Sequence, residues 1–144
     1  PNIRYNILAF PKNPDCNAII SPKFKDAYPT ACDAARAVKA AGKLGGQRAY
    51  WAMIDFLMAN GQQVTVPEIL AAATGMGLDE NELAAAMSSG EIEGMLQTDL
   101  LRGKSWNIRT VPAIYVDGKH IPRWRLEDEP IVERVVKLAV TGEN

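Results

Sequence analysis

A chain of 144 residues with a formal net charge of −1 is long enough for one domain with a sizeable core, and it carries no electrostatic footprint for nucleic acid or an anionic membrane surface. Its 47% hydrophobic and 23% charged residues are ordinary for a globular protein, and no apolar run approaches the roughly 18 residues needed to span a bilayer. One histidine, His120, and two cysteines leave no cluster with metal-ligand spacing, so neither metal nor cofactor is expected.

The chain opens at Pro1 with neither an initiator Met nor a signal peptide. That start suggests a processed chain or an excised piece, with any signal or anchor lying upstream. Ile3 to Phe10 is rich in β-branched and aromatic residues and stops at Pro11, which predicts a strand. Residues 11 to 29, with Pro11, Pro14, Pro22 and Pro29, form a loop too long to be structureless unless it is functional or stapled. Cys16 and Cys32 bracket most of it. A structural disulfide is the favoured reading, because closing a loop of that size contributes about 3 kcal/mol; two buried thiols and a redox couple stay open. The bond requires an oxidising compartment.

A block of about five helices follows. Thr30 is placed as N-cap of an Ala-rich helix to about Ala41, ended by Gly42, with a small-residue stripe of Ala31, Ala34, Ala35, Val38 and Ala41. A second helix runs from about Gly46 to Ala59, with Tyr50, Trp51, Ile54, Leu57 and Met58 at helical spacing, and stops at Asn60-Gly61. Pro67 suits the first turn of a third, through Thr74. Asp79 caps a fourth, Glu80 to Met87, and Ser88 or Ser89 starts a fifth through about Gly103, carrying Ile92, Leu96 and Leu100.

The stretch Thr110-Val111-Pro112-Ala113-Ile114-Tyr115-Val116-Asp117-Gly118-Lys119 carries the most information. Proline cannot donate to a ladder and belongs at a strand's start. Ala113 to Val116 then read as a short buried strand, Asp117-Gly118 as a two-residue hairpin turn, and Lys119-His120-Ile121 as the return strand. A last helix spans about Glu129 to Val140, with Ile131, Val135, Leu138 and Ala139 as its apolar stripe. Trp106 and Trp124 flank the hairpin; packing is the simpler role for both, and lining a peptide groove is the alternative. His120 and Asp55 are placed at the surface.

Thr110-Val111-Pro112 and the hairpin after it resemble the cis-proline loop of thioredoxin-fold proteins. The middle of the chain is similar to the helical insertion of DsbA-like thiol-disulfide oxidoreductases. The matching pieces there are Ala31-Cys32-Asp33-Ala34-Ala35, the run from Ala49 through Tyr50-Trp51-Ala52-Met53-Ile54-Asp55 to Asn60, and Gly77-Leu78-Asp79. Members often carry His where this chain has Ile54. The resemblance covers roughly residues 3 to 140 and implies an α/β, thioredoxin-like fold. One domain over 1–144 is expected, with a helical insertion over about 30–105 and without the N-terminal βα part that includes the central strand.

The resemblance also implies a function, thiol-disulfide exchange on protein substrates. In the family a low-pKa thiolate of a Cys-x-x-C motif does the chemistry, and this sequence has no such motif. It is expected upstream of Pro1, so this chain contributes no catalytic residue. Thr110, Val111 and Pro112 are implied as the substrate-binding loop, pairing with an extended peptide by β-augmentation. The cis form of the Val111–Pro112 bond is implied by the resemblance; an ordinary trans strand entry is the other reading, the two differing intrinsically by about 0.5–1 kcal/mol. Partners would be proteins or peptides with thiols or disulfides, in a periplasmic or other extracytoplasmic setting. The alternative function is a non-catalytic thioredoxin-fold module that binds peptide or protein, and a glutathione-using relative is a third possibility. The missing strand would leave residues 3–10 and 113–117 unpaired, so either they pair with each other or the chain associates, as in a homodimer.

Overall fold

A computed structural model describes residues 3–123 and 125–142. They fall into two compact units, one formed by residues 8–106 and one gathering residues 3–7 with the chain from Asn107 onward.

The larger unit is helical. Residues 11–30 contain only turns and a single 3-10 turn at Pro22–Phe24. Helix α1 spans Ala31–Asn60, α2 Val66–Gly75, α3 Glu80–Met87 and α4 Gly90–Ser105. The first helix does not end at Gly42. It continues and breaks at Gly46, whose φ of 65° and ψ of −159° are non-helical and are open to glycine without a Cβ penalty. Gly42 serves a different need, because a Cβ there would lie 3.0 Å from Tyr50 Cδ2. Thr30 precedes α1 without capping it: its hydroxyl donates to the Val64 carbonyl at 2.8 Å, so the helix has no side-chain cap.

The other starts are capped. Thr65 and Glu68 form a capping box at α2, Asp79 accepts from Asn81 and Glu82 at α3, and Ser89 accepts from Ile92 at α4, which satisfies N–H groups that a helix start leaves open.

α1 packs against α2, α3 and α4. The core between them holds Ala37, Ala40, Ala41, Ala49, Met53, Val64, Ile69, Ala73, Leu83, Met87 and Ile92. On α1 the small-residue face is thus rotated from the expected stripe: Ala31, Ala34, Ala35 and Val38 are only half-buried, while Ala37 and Ala40 are fully covered. After the kink, Ala49 and Met53 lead inward and Met58 is 81% exposed. Ala41, the last of the expected stripe, is fully buried, and the small residues let α1 approach three neighbours. Ile92, Leu96 and Leu100 are buried on α4 as expected.

The smaller unit holds the β-hairpin, β1 (Ile114–Val116) with β2 (Lys119–Ile121), and α5 (Ile131–Thr141). The strands pair antiparallel with Ile114 opposite Ile121, Tyr115 opposite His120 and Val116 opposite Lys119. α5 packs on β1 and ends at Gly142 in the left-handed conformation. The strand expected at Ile3–Phe10 does not form: these residues have no regular secondary structure, and among the described residues β1 pairs with β2 alone. Direct pairing of 3–10 with 113–117 is therefore overturned. Residue type favours a strand, but a strand exists only where a neighbour completes the ladder.

Candidate functional site

The segment leading into β1 is built by local backbone chemistry. Asn107, just past α4, has a φ of 54°, a region that asparagine tolerates better than most residues, and its Oδ1 accepts from Arg109 Nε at 3.0 Å. Thr110, Val111 and Pro112 then follow as an exposed bend, with Val111 37% accessible. The Val111–Pro112 peptide bond is cis. No backbone hydrogen bond among the described residues engages Thr110, Val111 or Pro112, so a peptide edge faces solvent directly before a strand. Asp117 and Gly118, with φ of 47° and 75°, make the two-residue turn in which both central residues are left-handed. Tyr115 and His120 stack across the hairpin with ring centroids 5.1 Å apart. His120 is exposed, and Trp106, at the end of the other unit, is 47% exposed. Trp124 lies outside the described residues.

The second predicted pair sits in the helical unit. Cys16 and Cys32 form a disulfide with an S–S distance of 2.04 Å and Cα atoms 5.9 Å apart. Cys32, in the first turn of α1, is 5% exposed, and Cys16, in the loop, is half-buried.

Two buried asparagines, to which sequence reasoning assigned no role, organise this loop. Asn13 and Asn17 are each 2% exposed. Asn13 Nδ2 donates to the Tyr28 carbonyl at 2.9 Å and to that of Pro29 at 3.3 Å, while its Oδ1 accepts from Asp15 N at 2.8 Å. Asn17 Nδ2 donates to the Pro11 carbonyl at 3.0 Å. The signal for the first was present in Asn13-Pro14-Asp15, an Asx-turn pattern.

A buried ion pair was also missed. Lys39 Nζ lies 2.6 Å from Asp99 Oδ2, and the same oxygen accepts from Ala9 N at 2.9 Å. It ties the incoming chain to α1 and α4.

A groove of about 510 Å³ in this unit is floored by Val66, Leu70, Ala84 and Met87 and edged by Asp33, Arg36 and Glu93. The Gln97 amide hydrogen bond, and then Arg36, hold the Glu93 carboxyl below the usual carboxylate range against the opposing effect of burial. Arg36 is already bound to both Asp33 and Glu93, so this edge offers no free cation.

Among the described residues no group of His, Cys, Asp and Glu could hold a metal ion, and no helix is long and apolar enough to cross a membrane. Residues 17–128 match the family described as DSBA-like thioredoxin domain, well over half of the chain. No curated protein and no solved structure matches.

Proposed function

The chain belongs to the DsbA-like thioredoxin-domain family, and on that premise we propose that it receives protein substrates for thiol-disulfide exchange in an extracytoplasmic compartment. The observation that carries this reading is the family match running through Thr110, Val111 and Pro112. The exposure of this peptide edge supports it, since an extended peptide can add backbone hydrogen bonds to such an edge. The chemistry would come from a Cys-x-x-C pair upstream of Pro1, acting as a thiolate. The helical insertion over about 30–105 and a homodimer are included in the proposal.

Titrating the chain with an extended peptide while following backbone amides tests the substrate role. Shifts at Thr110, Val111 and Ala113 are the expected result; binding that leaves these amides untouched would sink it. The second reading is a non-catalytic peptide-binding module. One observation favours it: the only two cysteines of this sequence are bonded to each other. Insulin reduction by the product of the whole reading frame separates the two. Activity that disappears when an upstream Cys-x-x-C is changed to Ser-x-x-Ser supports exchange, and an inactive product supports the module.

A further inference from the structure

We propose that Cys16 is a thiol-exchange site in its own right, at which a small thiolate opens the Cys16–Cys32 bond while the protein stays folded. This goes beyond the substrate-loop reading and uses none of its residues. The first ground is access. Exchange requires the incoming sulfur to approach one end of the disulfide, so access decides which sulfur is attacked. Cys32 is 5% exposed, whereas Cys16 is half-buried; attack therefore falls on Cys16 Sγ.

The second ground is that the loop is held without the sulfurs. Asn13 joins residues 13–15 to the carbonyls of Tyr28 and Pro29, and Asn17 reaches back to the Pro11 carbonyl. Both ends of the loop are thus tied by buried side-chain amides, that of Asn17 in a fully buried hydrogen bond, which is costly to break. The third ground is an acceptor waiting for the reduced state. The Asn13 carbonyl oxygen, which also accepts from Asn17 N at 3.1 Å, lies 3.8 Å from Cys16 Sγ and 4.0 Å from Cys32 Sγ, so one freed sulfur, once protonated, has an acceptor within sulfur hydrogen-bond reach.

The step balances as follows. A thiolate RS⁻ attacks Cys16 Sγ, forming RS–SγCys16, and the electron pair of the broken S–S bond leaves on Cys32 Sγ as a thiolate. A second RS⁻ then attacks the R sulfur, giving RSSR and the Cys16 thiolate. Two thiols are oxidised to one disulfide, and the protein gains two electrons. The departing Cys32 sulfur sits in the first turn of α1, whose N-terminus has no side-chain cap because Thr30 Oγ1 is committed to Val64. The partial positive charge of that turn favours the anion, although burial of Cys32 works against it.

The native chain is incubated with reduced glutathione at neutral pH without denaturant, quenched by alkylation and mapped by peptide mass. The expected products carry glutathione on Cys16 and the alkyl group on Cys32, at a rate proportional to glutathione concentration, with the amide spectrum of residues 11–29 retained. A Cys32→Ser variant treated with oxidised glutathione should gain one adduct, on Cys16, with the same loop spectrum. A rate that levels off at the unfolding rate overturns the proposal. So does an adduct on Cys32, or a reduced form or variant whose loop amides collapse to random-coil positions.

Discussion

At the scale of single residues, three groups decide how the helical unit is entered. Asn13 makes three hydrogen bonds from a position 2% exposed. Asn13→Ala would remove all three of these bonds, although the Tyr28 carbonyl keeps the Ala31 amide at 3.3 Å and Pro29 is exposed; a loss of about 1–2 kcal/mol is expected in urea unfolding. A loss no larger than that of an exposed Asn→Ala control would show that water replaces the side chain. Asp99 presents a sharper case, since its side chain and that of Lys39 are only 12% and 11% exposed. Asp99→Ala leaves a buried ammonium without its partner and should cost about 3–5 kcal/mol. The Lys39→Met/Asp99→Leu double variant should recover most of that loss, because it removes both charges and leaves only the Ala9 amide to be satisfied. If single and double variants are equally unstable, the Ala9 hydrogen bond, not the ion pair, is what matters.

At the scale of elements, the helix starts were the most legible part of the sequence. Pro67, Asp79 and Ser89 each sit within the first turn or at the cap of a real helix, because the chemistry of a helix start is local. The hairpin was equally legible, with Asp117-Gly118 fixing its turn. What depends on distant partners was not. Gly42 and Gly46 look alike in sequence, and only the packing of Tyr50 against the first makes the second the break. Lys39 and Asp99 stand 60 residues apart, so nothing local announces their pairing, and Asn17 carried no signal strong enough to foresee its burial.

The capping box of α2 yields a pH prediction. Hydrogen bonds from the Thr65 hydroxyl, and then from the Thr65 backbone, lower the Glu68 pKa in the folded protein. An acid with a depressed folded pKa contributes stability that is complete above the ordinary carboxylate range and is lost as pH falls through the folded value. Glu68→Gln should therefore destabilise the protein at neutral pH and lose less on acidification than wild type; parallel acid profiles would mean the box is not formed in solution. Thr65→Ala should cost about 1 kcal/mol at neutral pH.

At the scale of the whole molecule, the sequence foresaw that residues 3–10 would be in difficulty without a neighbouring strand, and the fold leaves that difficulty in place. The segment forms no strand, and Ile3, Tyr5 and Ile7 are 64%, 70% and 38% exposed. In the same unit α5 has no buried residue, and Leu138 and Val140 are 43% and 39% exposed. A two-stranded hairpin is marginal in water without a further strand or a well-packed helix, and an exposed apolar surface of this kind marks an interaction site or an aggregation liability. Pairing of 3–10 with 113–117 being absent among the described residues, association between chains is the branch left to test. Sedimentation equilibrium should show a dimer or larger species whose population rises with concentration. Charged substitutions at two exposed positions, Ile3→Lys and Tyr5→Lys, should shift it toward monomer while the helical unit keeps its far-ultraviolet signal. A species that stays monomeric across the concentration range, with α5 and the hairpin protected from hydrogen exchange, would show instead that the smaller unit is stable as it stands.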